Sequence, residues 1–158
     1  MSTSNHAGNK TDKGQESMRL MEQIVSRENM IKAYKRVVKN KGSSGVDGLS
    51  TEDLKDYLTT HWSQIKERLL GSGYYPSPVK RVTIPKPGGG ERILGIPTVL
   101  DRLIQQAIHQ VLQPLYDPFF SEWSFGFRAG RSTHQAIERS KSHIRAGKRW
   151  VVDMDLSK

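Results

Sequence analysis

The sequence predicts an α+β chain that is mostly helical, with one β-hairpin and one closing strand. Three observations carry that expectation. Apolar residues recur at spacings of three and four in several segments, the mark of helices with one buried face. A proline-rich run with alternating β-branched residues turns through G-G-G and returns as R-I-L-G-I-P, which is a hairpin signature. The last nine residues, W-V-V-D-M-D-L-S-K, alternate in the manner of a strand.

The elements follow in order. The first sixteen residues, M-S-T-S-N-H-A-G-N-K-T-D-K-G-Q-E, are a polar leader expected to be disordered. Met21, Ile24 and Val25 suggest a short helix. Ser26 is placed to cap a second, with Ile31, Tyr34, Val37 and Val38 along one face. K-G-S-S-G-V-D-G, residues 41–48, breaks the pattern. Ser50 is placed to cap the next helix, with Asp53 as a weaker form of capping box. Leu54, Tyr57, Leu58, Trp62, Ile65 and Leu69 form its stripe, and Gly71 or Gly73 closes it.

Tyr74 opens Y-Y-P-S-P-V-K-R-V-T-I-P, in which Val82 and Ile84 alternate as in an edge strand. The hairpin turn comes next. Thr98 caps the most apolar helix, with Leu100, Leu103, Ile104, Ala107, Ile108, Val111, Leu112 and Leu115 on its core face, and Pro114 bends or ends it. A loop rich in aromatics leads to Ser132 and Gln135, a capping box for a helix that stops at Gly147. Three segments are expected: the leader 1–16, a helical extension 17–73, and 74–158 holding the hairpin, two helices and the closing strand.

Composition narrows the function classes. A chain of 158 residues suits a single core. No stretch approaches the ~20 consecutive apolar residues of a membrane span, and no apolar segment follows the leader. With no cysteine there are no disulfides or thiolate metal sites. These features predict a cytoplasmic protein with no membrane partner. The net charge is +9. From Ser124 to Lys158, eight Lys/Arg stand against three acids. A basic face of this kind neutralises phosphates, although a surface kept basic for solubility has the same composition. The five histidines fall at no metal-ligand spacing, so hydrolase and zinc readings have no support.

Three strings carry chemical potential. On the closing strand, Asp153 and Asp155 share a face roughly 7 Å apart. Hard carboxylate oxygens on rigid backbone suit Mg²⁺, and a solvated edge strand would also accept them. Lys86 and Arg92 flank the G-G-G turn; such a pair can bracket a polyphosphate or decorate an ordinary hairpin. In S-F-G-F-R-A-G-R, residues 124–131, aromatics beside Arg128 and Arg131 suit RNA backbone and base contacts. Burial is the expected role of Phe125 and Phe127.

The ordered strings G-S-S-G-V-D-G-L-S, I-P-K-P-G-G-G-E-R-I-L-G-I-P-T-V-L-D-R-L-I-Q-Q-A, S-F-G-F-R-A-G-R-S-T-H-Q-A-I and V-V-D-M-D-L-S-K resemble the reverse transcriptase/maturase proteins encoded by group II introns. The similarity runs from about residue 20 to residue 158. It implies the fingers and partial palm of a right-hand reverse transcriptase fold, with residues 150–158 as the first palm strand. It also implies an RNA-directed DNA polymerase that extends a DNA primer on RNA template with deoxynucleoside triphosphates and Mg²⁺, and that binds intron RNA as a maturase. On the family's pattern Asp155 is the first of three metal-binding aspartates, and Lys86 and Arg92 contact the incoming triphosphate. Asp153 matches no role. The family's Y-A-D-D box is absent from these 158 residues, so the chain is expected to be inactive as a polymerase in this truncated form. A non-catalytic RNA-binding module and a non-functional truncated reading frame are the alternatives.

Overall fold

The structure, a computed structural model, describes residues 19–155. The polar leader, the first residues of the expected opening helix and the last three residues of the expected palm strand lie outside them. The described elements are α1 (Arg27–Lys39), α2 (Leu54–Leu70), β1 (Lys80–Pro85), β2 (Glu91–Ile96), α3 (Val99–Tyr116), a 3₁₀ turn (Asp117–Phe119) and α4 (Thr133–Arg145). A helical turn at residues 19–24 precedes them. The chain divides into two compact units, Met1–Pro114 and Leu115–Lys158, so the division falls inside the segment expected as 74–158.

Unit 1 is built around one apolar core. Ile24 and Val25, Ala33 and Val37 of α1, Leu54, Ile65 and Leu69 of α2, and Val99, Leu103, Ile104 and Ala107 of α3 are all buried. These are the positions that a period of 3.6 places on one face of each helix. The predicted caps form. Ser26 Oγ accepts from the Asn29 amide at 3.4 Å, and Thr98 Oγ1 accepts from the Asp101 amide at 3.1 Å. Ser50 Oγ accepts from the Asp53 amide at 3.1 Å, but it closes a turn over residues 51–53, and α2 starts only at Leu54. At the end of α2 the left-handed residue is Ser72 (φ 56°), between the two glycines. The Gly73 amide donates back to Arg68 O at 2.8 Å, as the C-terminal motif of a helix requires.

The hairpin is antiparallel, with Ile84 opposite Arg92, Val82 opposite Leu94 and Lys80 opposite Ile96. Residues 86–90 form its turn. The Lys86 amide donates to Gly90 O at 3.0 Å and the Gly89 amide to Lys86 O at 3.1 Å. Gly89 and Gly90 have φ of 89° and 82°, a region that side-chain-bearing residues avoid.

Unit 2 has no buried residue among those described. Its helix α4 carries the full predicted capping box: Gln135 N to Ser132 Oγ at 3.4 Å and Ser132 N to Gln135 Oε1 at 2.8 Å. It ends with Gly147 at φ 83° and the Lys148 amide donating to His143 O at 3.1 Å. The expected closing strand is not formed over its described part. Residues 150–155 have no regular secondary structure, and Trp150, Val151, Val152 and Met154 are at least 80% exposed. A strand is defined by a neighbour that takes its backbone hydrogen bonds. The described strands are the two of the hairpin, which pair with each other.

Candidate functional site

The hairpin brings two of the predicted site residues together. Residues opposite each other in an antiparallel pair project from the same face, so Ile84, Arg92, Val82 and Leu94 share one side of the ribbon. Lys86 follows Ile84 by two residues at the mouth of the turn. Lys86 and Arg92 both line an open groove whose walls are Ile84, Leu94 and the turn glycines Gly88 and Gly89. The site is thus a pair of exposed cations over an apolar floor, beside a turn whose three glycines carry no side chain. Gly95 is a close-approach position, since a Cβ there would meet Val79 Cγ2 at 2.9 Å.

The roots of the hairpin converge on a residue that the sequence reading passed over. Asp101 sits in the first turn of α3 and is 3% exposed. Its Oδ1 accepts from the Tyr74 hydroxyl at 2.7 Å. Its Oδ2 accepts from the Ser77 amide at 3.1 Å and from Thr98 Oγ1 at 2.6 Å. Tyr74 and Ser77 lead into β1 and Thr98 follows β2, so one carboxylate fastens both ends of the ribbon. Burial and the bond to Asp101 push the Tyr74 phenol above its ordinary range. The available signal was an acid in an apolar helix, three residues after a threonine cap.

Arg102, the next residue, anchors the G-S-S-G loop. Its Nη2 donates to Gly42 O at 3.3 Å and Ser43 O at 2.7 Å, and a methyl group at Gly42 would overlap Nη1. Gly45 lies against the start of α3, where a Cβ would come within 2.6 Å of Thr98 Cα. The motifs around residues 42–48 and 94–102 are therefore two sides of one packed junction.

In unit 2, Arg128 and Arg131 differ in kind. Arg128 Nε and Nη2 donate to the Asp117 carboxylate at 2.9 and 3.2 Å, Nη2 also to Asp117 O at 3.1 Å, and Nη1 to Ser121 O at 2.8 Å and Ser124 O at 3.1 Å. A guanidinium has five N–H donors, and these five contacts occupy them. Contact between Arg128 and a phosphate would require giving up one of these bonds. The pairing holds the Asp117 carboxyl below the usual carboxylate range. Arg131 is exposed, with one donation to Glu122 O at 3.2 Å.

Three arginines lie over aromatic rings: Arg128 over Phe120 at 5.5 Å, Arg131 over Phe125 at 5.6 Å, and Arg139 over Trp123 at 3.6 Å from the ring centre. Burial, expected for both phenylalanines, holds in part for Phe125 alone. Phe127 is fully exposed at φ 57°, immediately before the heavily bonded Arg128.

Asp155 lies in unit 2 and is exposed. The resemblance to reverse transcriptases implies a divalent metal held by carboxylates. Among the described residues no group of three acidic, histidine or cysteine side chains converges as a metal cluster would. They do not assemble a two-metal site, which needs carboxylates clamping ions about 4 Å apart. Among the described residues no helix is long and apolar enough to cross a membrane.

Residues 84–158 match the family model for reverse transcriptase (RNA-dependent DNA polymerase). Protein YkfC of Escherichia coli K12 is 35% identical over 153 residues, covering 93% of this chain and 40% of YkfC. Group II intron-encoded protein LtrA of Lactococcus lactis subsp. cremoris is 39% identical over 132 residues, covering 78% of this chain and 20% of LtrA. The mitochondrial nuclear intron maturase 2 of Arabidopsis thaliana is 39% identical over 57 residues, covering 36% of this chain and 8% of that protein. The chain thus spans two fifths or less of the length of these relatives. Its motifs and these matches together show a reverse transcriptase segment at residues 84–158, in a chain homologous over most of its length to YkfC and the group II intron-encoded LtrA.

Proposed function

We propose that this chain forms the fingers and the beginning of the palm of a group II intron reverse transcriptase. The observation that supports it most is the hairpin groove, where Lys86 and Arg92 stand over one apolar floor at the start of the reverse transcriptase match. Fixed cations of this kind stabilise the charge on a transferring phosphoryl group. In this reading they hold the triphosphate of an incoming deoxynucleotide while a DNA primer is extended on an RNA template. Arg131 and the basic residues of unit 2 contact RNA, and Arg128 shapes the loop that presents Arg131. Asp155 contributes one carboxylate toward Mg²⁺. The 158 residues contain no Y-A-D-D string, so polymerisation depends on carboxylates supplied from outside this sequence.

The test is complementation. A second polypeptide carrying the Y-A-D-D box should restore primer extension when mixed with this chain, and Asp155→Ala should abolish it. Restored synthesis that survives Asp155→Ala would remove Asp155 from the metal site.

A second reading, a non-catalytic RNA-binding module that assists intron splicing, is favoured by the three arginine–aromatic stacks of unit 2. It predicts RNA affinity without any complementation. Both readings require log affinity for single-stranded RNA to fall with log salt by about 0.7 per phosphate contacted. A flat salt dependence would contradict both.

A further inference from the structure

Unit 1 holds a second concavity, which shares no residue with the hairpin groove. It is a cleft of about 390 Å³ between the C-terminal end of α1, the turn at 40–42 and α3. Its polar lining comes from Asn40, Gly42, Arg102, Gln105, Gln106 and His109, and no acidic residue lines it. Arg36, Lys39 and Lys41 lie on the chain that forms its rim.

The lining groups are arranged as a binding site would be. Arg102 is fixed through Nη2 by the carbonyls of Gly42 and Ser43, while its Nε is buried with no hydrogen-bond partner. No carboxylate among the described residues lies within ion-pair distance of this guanidinium, so its charge is unneutralised. The side-chain amide of Gln106 is oriented by donation to Gln110 Oε1 at 3.2 Å, and Gln110 is itself held by Asn29. The side chains of Asn40, Gln105 and His109 make no hydrogen bond among the described residues. A half-buried cation without a counter-charge, ringed by uncommitted donors, is matched by an anion with several acceptor oxygens. The volume is that of a small-ligand site, enough for a phosphate together with part of what it is attached to.

We propose that this cleft binds a phosphate ester, with Arg102 supplying the charge and Asn40, Gln105 and His109 the directional contacts. The phosphate belongs either to an RNA backbone or to a free nucleotide. The site stands whether the chain copies RNA or only binds it.

The experiment titrates the isotope-labelled chain with inorganic phosphate and, separately, with an oligo-uridylate at fixed ionic strength. The signals of Asn40, Gln105 and His109 are followed. Arg102→Ala would also release the Gly42–Ser43 turn, so the diagnostic variant is Gln105→Glu, which puts a negative charge on the exposed rim. Thr59→Glu, exposed on α2, makes the same charge change away from the cleft. Gln105→Glu should weaken binding about fivefold to tenfold, and Thr59→Glu by less than about twofold. Shifts with both ligands, and displacement of one by the other, assign the site to RNA phosphates. Shifts with inorganic phosphate alone assign it to free phosphate esters, even if the chain binds no RNA at all. The proposal is overturned if neither ligand moves these signals, or if the two substitutions weaken binding equally.

Discussion

The two compact units are held together by different forces. Unit 1 buries eleven apolar residues drawn from three helices and the turn before them. Its hairpin and its 42–48 loop are fastened to that core through two adjacent residues, Asp101 and Arg102. Unit 2 has no buried residue among those described. Its order comes from one saturated arginine, three arginine–aromatic stacks and a well-capped helix. Large apolar groups such as Phe119, Phe127, Ile144 and Trp150 face outward. The hydrophobic effect scales with area removed from water, so it stabilises unit 1 strongly and unit 2 weakly. A rigid platform therefore presents the hairpin cations, while the basic surface sits on a unit whose stability is mostly polar and local.

Substitutions in the two units should separate accordingly. The largest effect is expected from Leu103→Ala, at a fully buried position in α3. It should cost about 3 kcal/mol in denaturant unfolding of unit 1 and leave the Trp123 environment in unit 2 unchanged. Equal disturbance of both would mean that the units do not have separate stabilities.

Asp101→Ala comes next. It strands the Tyr74 hydroxyl and the Ser77 amide, and should cost about 2 kcal/mol. Hydrogen exchange should quicken in residues 80–96 more than in α2. Uniform loss of protection across unit 1 would make Asp101 an ordinary stability residue with no special hold on the hairpin.

The smallest effect is the acid response of unit 2. The Asp117 carboxyl is held below its ordinary range by the hydrogen bonds from Arg128. A depressed folded value stabilises the fold above the unfolded pKa of about 4, and this contribution disappears as pH falls through the folded value. The ion pair is partly exposed, so the effect is modest. Trp123 fluorescence should be constant from neutral pH to about 5 and change below about 4. Asp117→Asn should remove that transition, and a transition that persists in the variant would exclude this pair as its cause.

Much of unit 1, and the cap of α4 in unit 2, was legible in the sequence because each signal was local. Helical spacing marked Val37, Leu54, Leu69, Leu103 and Ala107 as core positions, and Ser26, Thr98 and Ser132 are caps where the sequence predicts them. The hairpin was equally readable. What escaped depends on groups distant in sequence. The role of Asp101 requires Tyr74 to lie within a hydrogen bond of it, 27 residues away. Arg102 reaches the 42–43 turn across 59 and 60 residues. The exposure of Phe127 and the saturation of Arg128 beside it depend on the loop's backbone path, which composition does not reveal. The strand expected at the end of the chain had the right alternation, but alternation describes which way side chains face and supplies no partner for the backbone.

The central claim concerns the hairpin cations, and nucleotide dependence tests it most directly. In an enzyme completed by a chain carrying the Y-A-D-D box, Lys86→Ala and Arg92→Ala should each raise the KM for deoxynucleoside triphosphate about tenfold or more, the loss of one charge-assisted contact. Affinity for primer and template should be little changed. An unaltered KM in both variants would contradict the assignment of this groove to the incoming nucleotide.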